Sequence, residues 1–384
     1  MAPWFLRIAA AAALFKGFSE HTLSLVSENM LSISTHSWEL GTAAQALTEA
    51  FTPGLSVFES TAFPPPSFLN RSWTPTSVLT IVDETLSRKP ASSGPLFANE
   101  GSAADPASLG SAVLLAHWTR TDARDYTYAD AAQGQLDYLL RDAPRSAQGA
   151  ISHRADEVQL WSDFVYMVPP FIAYHGALHG SQAVMQEAYD QCRLYRDGLR
   201  DANGLWRHVD LGHWQDRTHW ATGNGWAAAG MLRVLSTLNH TSSGYEFEDQ
   251  QSDLASWVHE ILETAWSHQS DNGAIHNVVD DPATFTDTAS TALLAASTYR
   301  YASLTHDLSL IRFADAAFAY IQQNLTPDGW LAGAVNPMTF HDQLPTGTYS
   351  PEGQAFVLLL QAARKAFAED ILFGRIQESN IITM

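Results

Sequence analysis

One pattern constrains this chain more than any other: a glycine that follows a polar helix end and opens a short apolar or aromatic stretch recurs five times. The copies are Gly94-Pro-Leu-Phe, Gly149-Ala-Ile-Ser-His, Gly204-Leu-Trp-Arg-His, Gly273-Ala-Ile-His and Gly329-Trp-Leu-Ala. Successive glycines are 55, 55, 69 and 56 residues apart, a period long enough for two helices and their connections. Between them lie pairs of stretches with helical periodicity, such as Asp105 to Trp118 then Asp125 to Arg141, and Glu157 to Leu178 then Ser181 to Leu199. Each repeat therefore reads as a helical hairpin closed by a glycine stop.

A further pair precedes the first glycine, Ser27 to Phe51 and Pro75 to Arg88, and a last helix spans Glu352 to Ala368. Six hairpins result, averaging 64 residues in a chain of 384, the sixth with its second member short or missing. Trp226 to Leu238 and Thr288 to Tyr301 are apolar on most faces, which demands burial all round. The expected fold is an all-α, single-domain (α/α)6 barrel over residues 21–384, with the first helix of each hairpin inside. An open helical solenoid is the alternative, though its repeats are usually shorter and closer to identical.

Charge narrows the partners. With 21 Lys and Arg against 41 Asp and Glu, the net charge is −20, which repels phosphate backbones and anionic membranes. Nucleic acid and membrane are not expected partners, and the chain is expected to act as a monomer. The single cysteine, Cys192, rules out an internal disulfide framework and any cysteine-based metal site. Residues 1–20 carry an apolar run, Ile8 to Phe15, too short to span a bilayer. It reads either as a signal peptide or as an N-terminal helix. Glycosylation sequons at Asn70, Asn239 and Asn324 tilt the expectation toward a secreted glycoprotein.

In a barrel of this kind the glycine stretches and the inner-helix N-termini open on one end. That end would gather Asp105, His153, Arg154, Asp163, His208, Trp214, Trp220, Asn224, Trp226, Asp287 and Glu352. His153 and His208 each stand four residues after their glycine. The chain has 12 Trp, and tryptophan rings suit the apolar faces of sugars. Asp163 lies in an otherwise apolar run, where desolvation would raise its pKa into the range of a general acid. It could equally be a helix-start residue, and Asp105-Pro106 is a good helix start in its own right. No metal is expected, since His208 has no partner at ligand spacing, and no cofactor motif is present.

At these residues the chain resembles the unsaturated uronyl hydrolases, glycoside hydrolase families 88 and 105. The similarity runs from about Ser27 to Ala368 and is most specific at Leu160-Trp-Ser-Asp163-Phe-Val-Tyr-Met-Val-Pro-Pro-Phe, Leu205-Trp-Arg-His208 and Trp220-Ala-Thr-Gly-Asn-Gly-Trp226. The resemblance implies Asp163 as general acid and base, Asp105 as the second site carboxylate and His208 as a substrate contact. It implies hydration of the 4,5 double bond that a polysaccharide lyase leaves on a terminal uronic acid. Two departures stand out: Thr222 replaces the arginine common in the Trp-x-Arg-Gly motif, and Asp287 replaces a common glutamate. Arg217 or Arg154 would then have to meet the uronate. An inverting exo-glycosidase, a polysaccharide lyase or a non-catalytic carbohydrate-binding barrel would share this scaffold.

Overall fold

The repeat becomes a ring of hairpins in the computed structural model, which describes residues 17–65, 75–91, 94–98 and 100–376. The apolar run at Ile8 to Phe15 and the sequon at Asn70 lie outside these residues. In chain order the helices are α1 (Glu20–Ile33), α2 (Ser37–Phe51), α3 (Thr76–Arg88), α4 (Gly110–Thr119), α5 (Thr127–Asp137), α6 (Phe164–Met167) and α7 (Pro169–His179). Then come α8 (Gln182–Leu199), α9 (Ala221–His240), α10 (Glu248–Ser267), α11 (Thr288–Thr305), α12 (Ile311–Asn324) and α13 (Pro351–Leu372). A 3₁₀ turn, Asp105–Leu109, leads into α4.

Helices α2, α4, α6 with α7, α9, α11 and α13 pack side by side as a closed inner ring, and the others lie outside it. The inner members are buried on nearly every face: α11 has buried residues at every position from Thr288 to Ala302. Outer helices show one apolar stripe, as in α8, where Met185, Ala188, Cys192, Tyr195 and Leu199 are buried. The period-3.6 argument for two kinds of helix therefore holds.

The expected sixth hairpin needs a correction. Ser27 to Phe51 is not one helix, because the Glu39 carboxylate accepts from the backbone amides of Thr35 and His36 (2.6 and 2.9 Å) and starts a new helix at Ser37. The freed segment, α1, packs on α13. The missing outer helix thus comes from the other end of the chain. Asn29 of α1 donates to the Asp328 carbonyl (2.9 Å) and Phe18 N–H donates to Gln361 of α13 (3.0 Å), which ties the ring shut.

The last four glycines end identical turns. In Ser146–Gly149, Asp201–Gly204, Ser270–Gly273 and Thr326–Gly329 the glycine amide donates to the first residue's carbonyl at 2.8–3.0 Å. Glycine φ values of 98, 92, 92 and 78° there explain the residue type. Two residues beyond each of the five repeat glycines, a backbone amide is met by a buried side chain. Gln135 takes Leu96, Gln191 takes Ile151, Asn224 takes Trp206, Thr291 takes Ile275 and Gln354 takes Leu331, at 2.7–3.0 Å. These contacts dock every connecting loop on the barrel and satisfy amides that burial would otherwise leave unpaired.

Candidate active site

Because the inner helices all point their N-termini the same way, the residues that start them meet at one end of the barrel. There they line a cavity of about 430 Å³. Two stacked pairs form its walls. His36 lies on Trp38 (centroids 4.4 Å, 14° between planes) and His153 on Trp161 (4.9 Å, 13°). Phe340 closes a third side, edge-on to Trp161 and to Trp220. Its φ of 64° is unusual for a bulky residue. The loop holds that conformation through the Phe340 carbonyl, which accepts from Asn277 Nδ2 (2.8 Å), and through His341, whose Nε2 lies 3.0 Å from Asp216.

Asp163 precedes α6, fixed there by the Ser162 amide, which donates to the His208 carbonyl (2.9 Å). A two-residue antiparallel bridge beside it, Leu160–Trp161 against Val209–Asp210, keeps Trp161 and His208 in register. The His208 ring is fully buried, with Nδ1 at 2.9 Å from Asp216 and Nε2 at 3.6 Å from Asp163. Although burial works against it, hydrogen bonds and charge from His208 and hydrogen bonds from Thr218 hold Asp216 well below the usual carboxylate range. The Asp216 carboxylate accepts from His208 Nδ1–H, and His208 Nε2, without a hydrogen-bond partner among the described residues, faces Asp163.

The two carboxyls on the cavity floor shift the other way. Burial raises Asp163 against the opposing pull of His208 and its hydrogen bonds. Burial, then the charge of Asp163, pushes Asp105 up to about 7, opposed by a hydrogen bond with Ser102. His153 Nε2 stands 3.4 Å from Asp105, and burial followed by the Arg154 charge lowers this imidazole to about 3. His153 is thus a neutral wall residue and not an ion-pair partner.

The sequence expectations divide. Asp163, Asp105, His153 and Trp220 line the cavity. His208 sits one layer behind, and Trp214 stands outside the lining, 39% exposed and 5.6 Å from Trp161. Asn224 does not face the cavity: it is buried, bonded to the backbone of Trp206 and Trp220. Trp226, two residues on, packs in the core against Tyr166 and Phe356. Asp287 caps α11, accepting from Ala289, Ser290 and Val335 amides and from the Thr222 hydroxyl. Arg217 lies outside on Gln215 and Asp210. Arg154 is the one guanidinium lining the cavity among the described residues.

His36, Trp38 and Phe340 line the cavity with no local signal in the sequence, and Glu352, expected at this end of the barrel, joins them. The Glu352 carboxyl is buried, with Oε1 accepting from Trp38 Nε1 (2.6 Å) and Oε2 unpaired. Burial first, then the charge of Glu39, raises its pKa well above the ordinary value. Burial thus favours the neutral form of the Glu352 carboxyl on the cavity wall.

A stacked aromatic cleft with two perturbed carboxyls at the mouth of an (α/α)6 barrel defines a carbohydrate-active class. The family model described as Glycosyl Hydrolase Family 88 matches residues 77–366, and the chain belongs to that family. It is 22% identical over 204 residues to the unsaturated rhamnogalacturonyl hydrolase YesR of Bacillus subtilis, a match spanning 50% of this chain and 56% of that relative. A Salmonella enterica structure described as a possible member of the GH105 family superposes with TM-score 0.70 at 17% identity, covering 90% of this chain and 93% of that one. The unsaturated glucuronyl hydrolase of Bacillus sp. GL1 superposes with TM-score 0.60 at 16% identity, over 88% and 94%. These likenesses agree with the six-hairpin barrel.

Proposed function

We propose that this chain removes a terminal 4,5-unsaturated uronic acid from lyase-generated acidic oligosaccharides by hydrating the double bond. The observation that carries the reading is the pair of buried carboxyls, Asp163 and Asp105, on the floor of an aromatic cleft. Burial favours the protonated form of Asp163, and His208 Nε2 stands behind it at 3.6 Å. Transfer of that proton to carbon 4 leaves an oxocarbenium-like centre at carbon 5. Water adds to carbon 5 and returns a proton to the Asp163 carboxylate. The resulting hemiketal opens and the next sugar leaves. A single poised carboxyl serves as acid and then base, unlike the paired roles in ordinary glycosidases.

Recognition of the uronate would rest on Arg154, since Thr222 is committed to Asp287. The N-terminal ends of the inner helices add partial positive charge at the same mouth. The test is loss of the near-ultraviolet absorbance of unsaturated disaccharides from lyase digests. Wild type is expected to bleach it and Asp163→Asn to fail; no bleaching by wild type on glucuronyl or galacturonyl substrates would refute the reading.

A further inference from the structure

A second, much smaller space of about 20 Å³ lies inside the barrel, ringed by α2, α6, α9, α11 and α13. It is toward the C-terminal ends of the inner helices, away from the catalytic mouth. Such a volume admits one atom-sized occupant, a water needing roughly 10–15 Å³. Three buried groups on its wall have no hydrogen-bond partner among the described residues: the Tyr166 hydroxyl and the Nε–H groups of Arg233 and Arg300.

The charges there do not balance. Glu49 accepts from Arg300 Nη2 (2.9 Å) and from Gln45 (2.6 Å), so its carboxylate is already engaged. Arg233, 4% exposed, has no carboxylate within ion-pair distance among the described residues. It donates to the Tyr166 carbonyl (3.3 Å) and lies over the Tyr166 ring (4.9 Å). Two guanidiniums therefore share one carboxylate, and a buried charge without a counter-charge is costly. The other polar wall residue, Ser297, spends its hydroxyl proton on the Leu293 carbonyl (2.9 Å).

We infer that this space binds a small monovalent anion of the halide class, held by the Tyr166 hydroxyl and the Arg233 and Arg300 Nε–H groups. A water accepts only two hydrogen bonds and leaves the excess charge of Arg233 in place. A halide accepts all three and neutralises that charge, and oxyanions such as sulfate exceed the volume. A neighbouring cavity of about 370 Å³ shares Glu49, Phe58 and Arg300 with this space, so entry need not pass the substrate cleft. Bound there, the anion joins α6, which carries Tyr166 three residues after Asp163, to α9 and α11.

The test uses the full chain, melted in sodium chloride, sodium bromide and sodium gluconate at equal ionic strength, gluconate being too large to enter. Halides are expected to raise Tm by several degrees over gluconate, by linkage to the folded state. Arg233→Met should erase the difference. Crystals grown in sodium bromide should give an anomalous peak within hydrogen-bond reach of Arg233 and Arg300. Equal melting in all three salts with no such peak means a water and overturns the inference, and where melting and diffraction disagree the peak decides. Should Arg233→Met not fold, Tyr166→Phe removes one donor and should raise the halide concentration needed for half the Tm gain; an unchanged concentration also counts against the site.

Discussion

At the scale of single residues, the site is a set of carboxyls kept from water, and each makes a signed prediction. Asp105 is raised from 3.8 to about 7 in the folded chain. Its contribution to stability is therefore present in full below pH 4 and is lost as pH rises toward 7, by on the order of 4 kcal/mol. Wild type should lose more stability than Asp105→Asn between pH 5 and 7, read as the difference in urea midpoint between the two. A parallel pH dependence would show that the shift has another owner. Glu352 offers a second case. Its carboxyl lines the cavity with Oε2 unpaired among the described residues, and burial favours the protonated form, so Glu352→Gln, which keeps a donor, should hold KM near wild type. Glu352→Ala should raise KM about tenfold, the worth of one hydrogen bond, and equal KM values for both variants would remove Glu352 from substrate binding.

At the scale of elements, four turns share a backbone but not their surroundings, which separates strain from packing. A Cβ on Gly149 would find its nearest neighbour at 4.0 Å, whereas on Gly273 it would stand 2.4 Å from the Ala316 carbonyl oxygen. Gly149→Ala should cost only the left-handed backbone, about 1–2 kcal/mol. Gly273→Ala should cost clearly more, with both read from urea denaturation. The turns were legible in the sequence because a left-handed glycine and the apolar residues behind it are local features. The closing helix was not, since α1 meets α13 through contacts such as Phe18 with Gln361, 343 residues apart. Nor does motif membership tell which side chain faces a ligand. Within Trp220-Ala-Thr-Gly-Asn224-Gly-Trp226, Trp220 precedes α9 and reaches the cavity, while Asn224 and Trp226, on its first turns, face backbone and core. Glu352 is placed at the mouth by its first-turn position after Ser350 and Pro351, but only the ring brings Trp38 beside it.

At the scale of the whole molecule, a chain of net charge −20 must admit an anionic sugar. Long-range repulsion works against encounter, and the local field of Arg154 and the helix N-termini works for it. The two differ in how salt treats them. Repulsion from exposed charges extends over a Debye length and is screened by salt, about 10 Å at 0.1 M. The partly buried attraction at the mouth acts over a few ångströms and is screened less. For wild type, kcat/KM on an unsaturated disaccharide should therefore rise between about 0.01 and 0.15 M salt, the reverse of a positively steered enzyme. Arg154→Ala should lower kcat/KM at every ionic strength, chiefly through KM, while leaving the upward slope intact, because the slope belongs to the excess of 41 acidic over 21 basic side chains and not to this one cation. A slope that falls with salt in wild type would mean that the mouth's own field dominates encounter. An unchanged KM in Arg154→Ala would move uronate recognition to the helix N-termini alone.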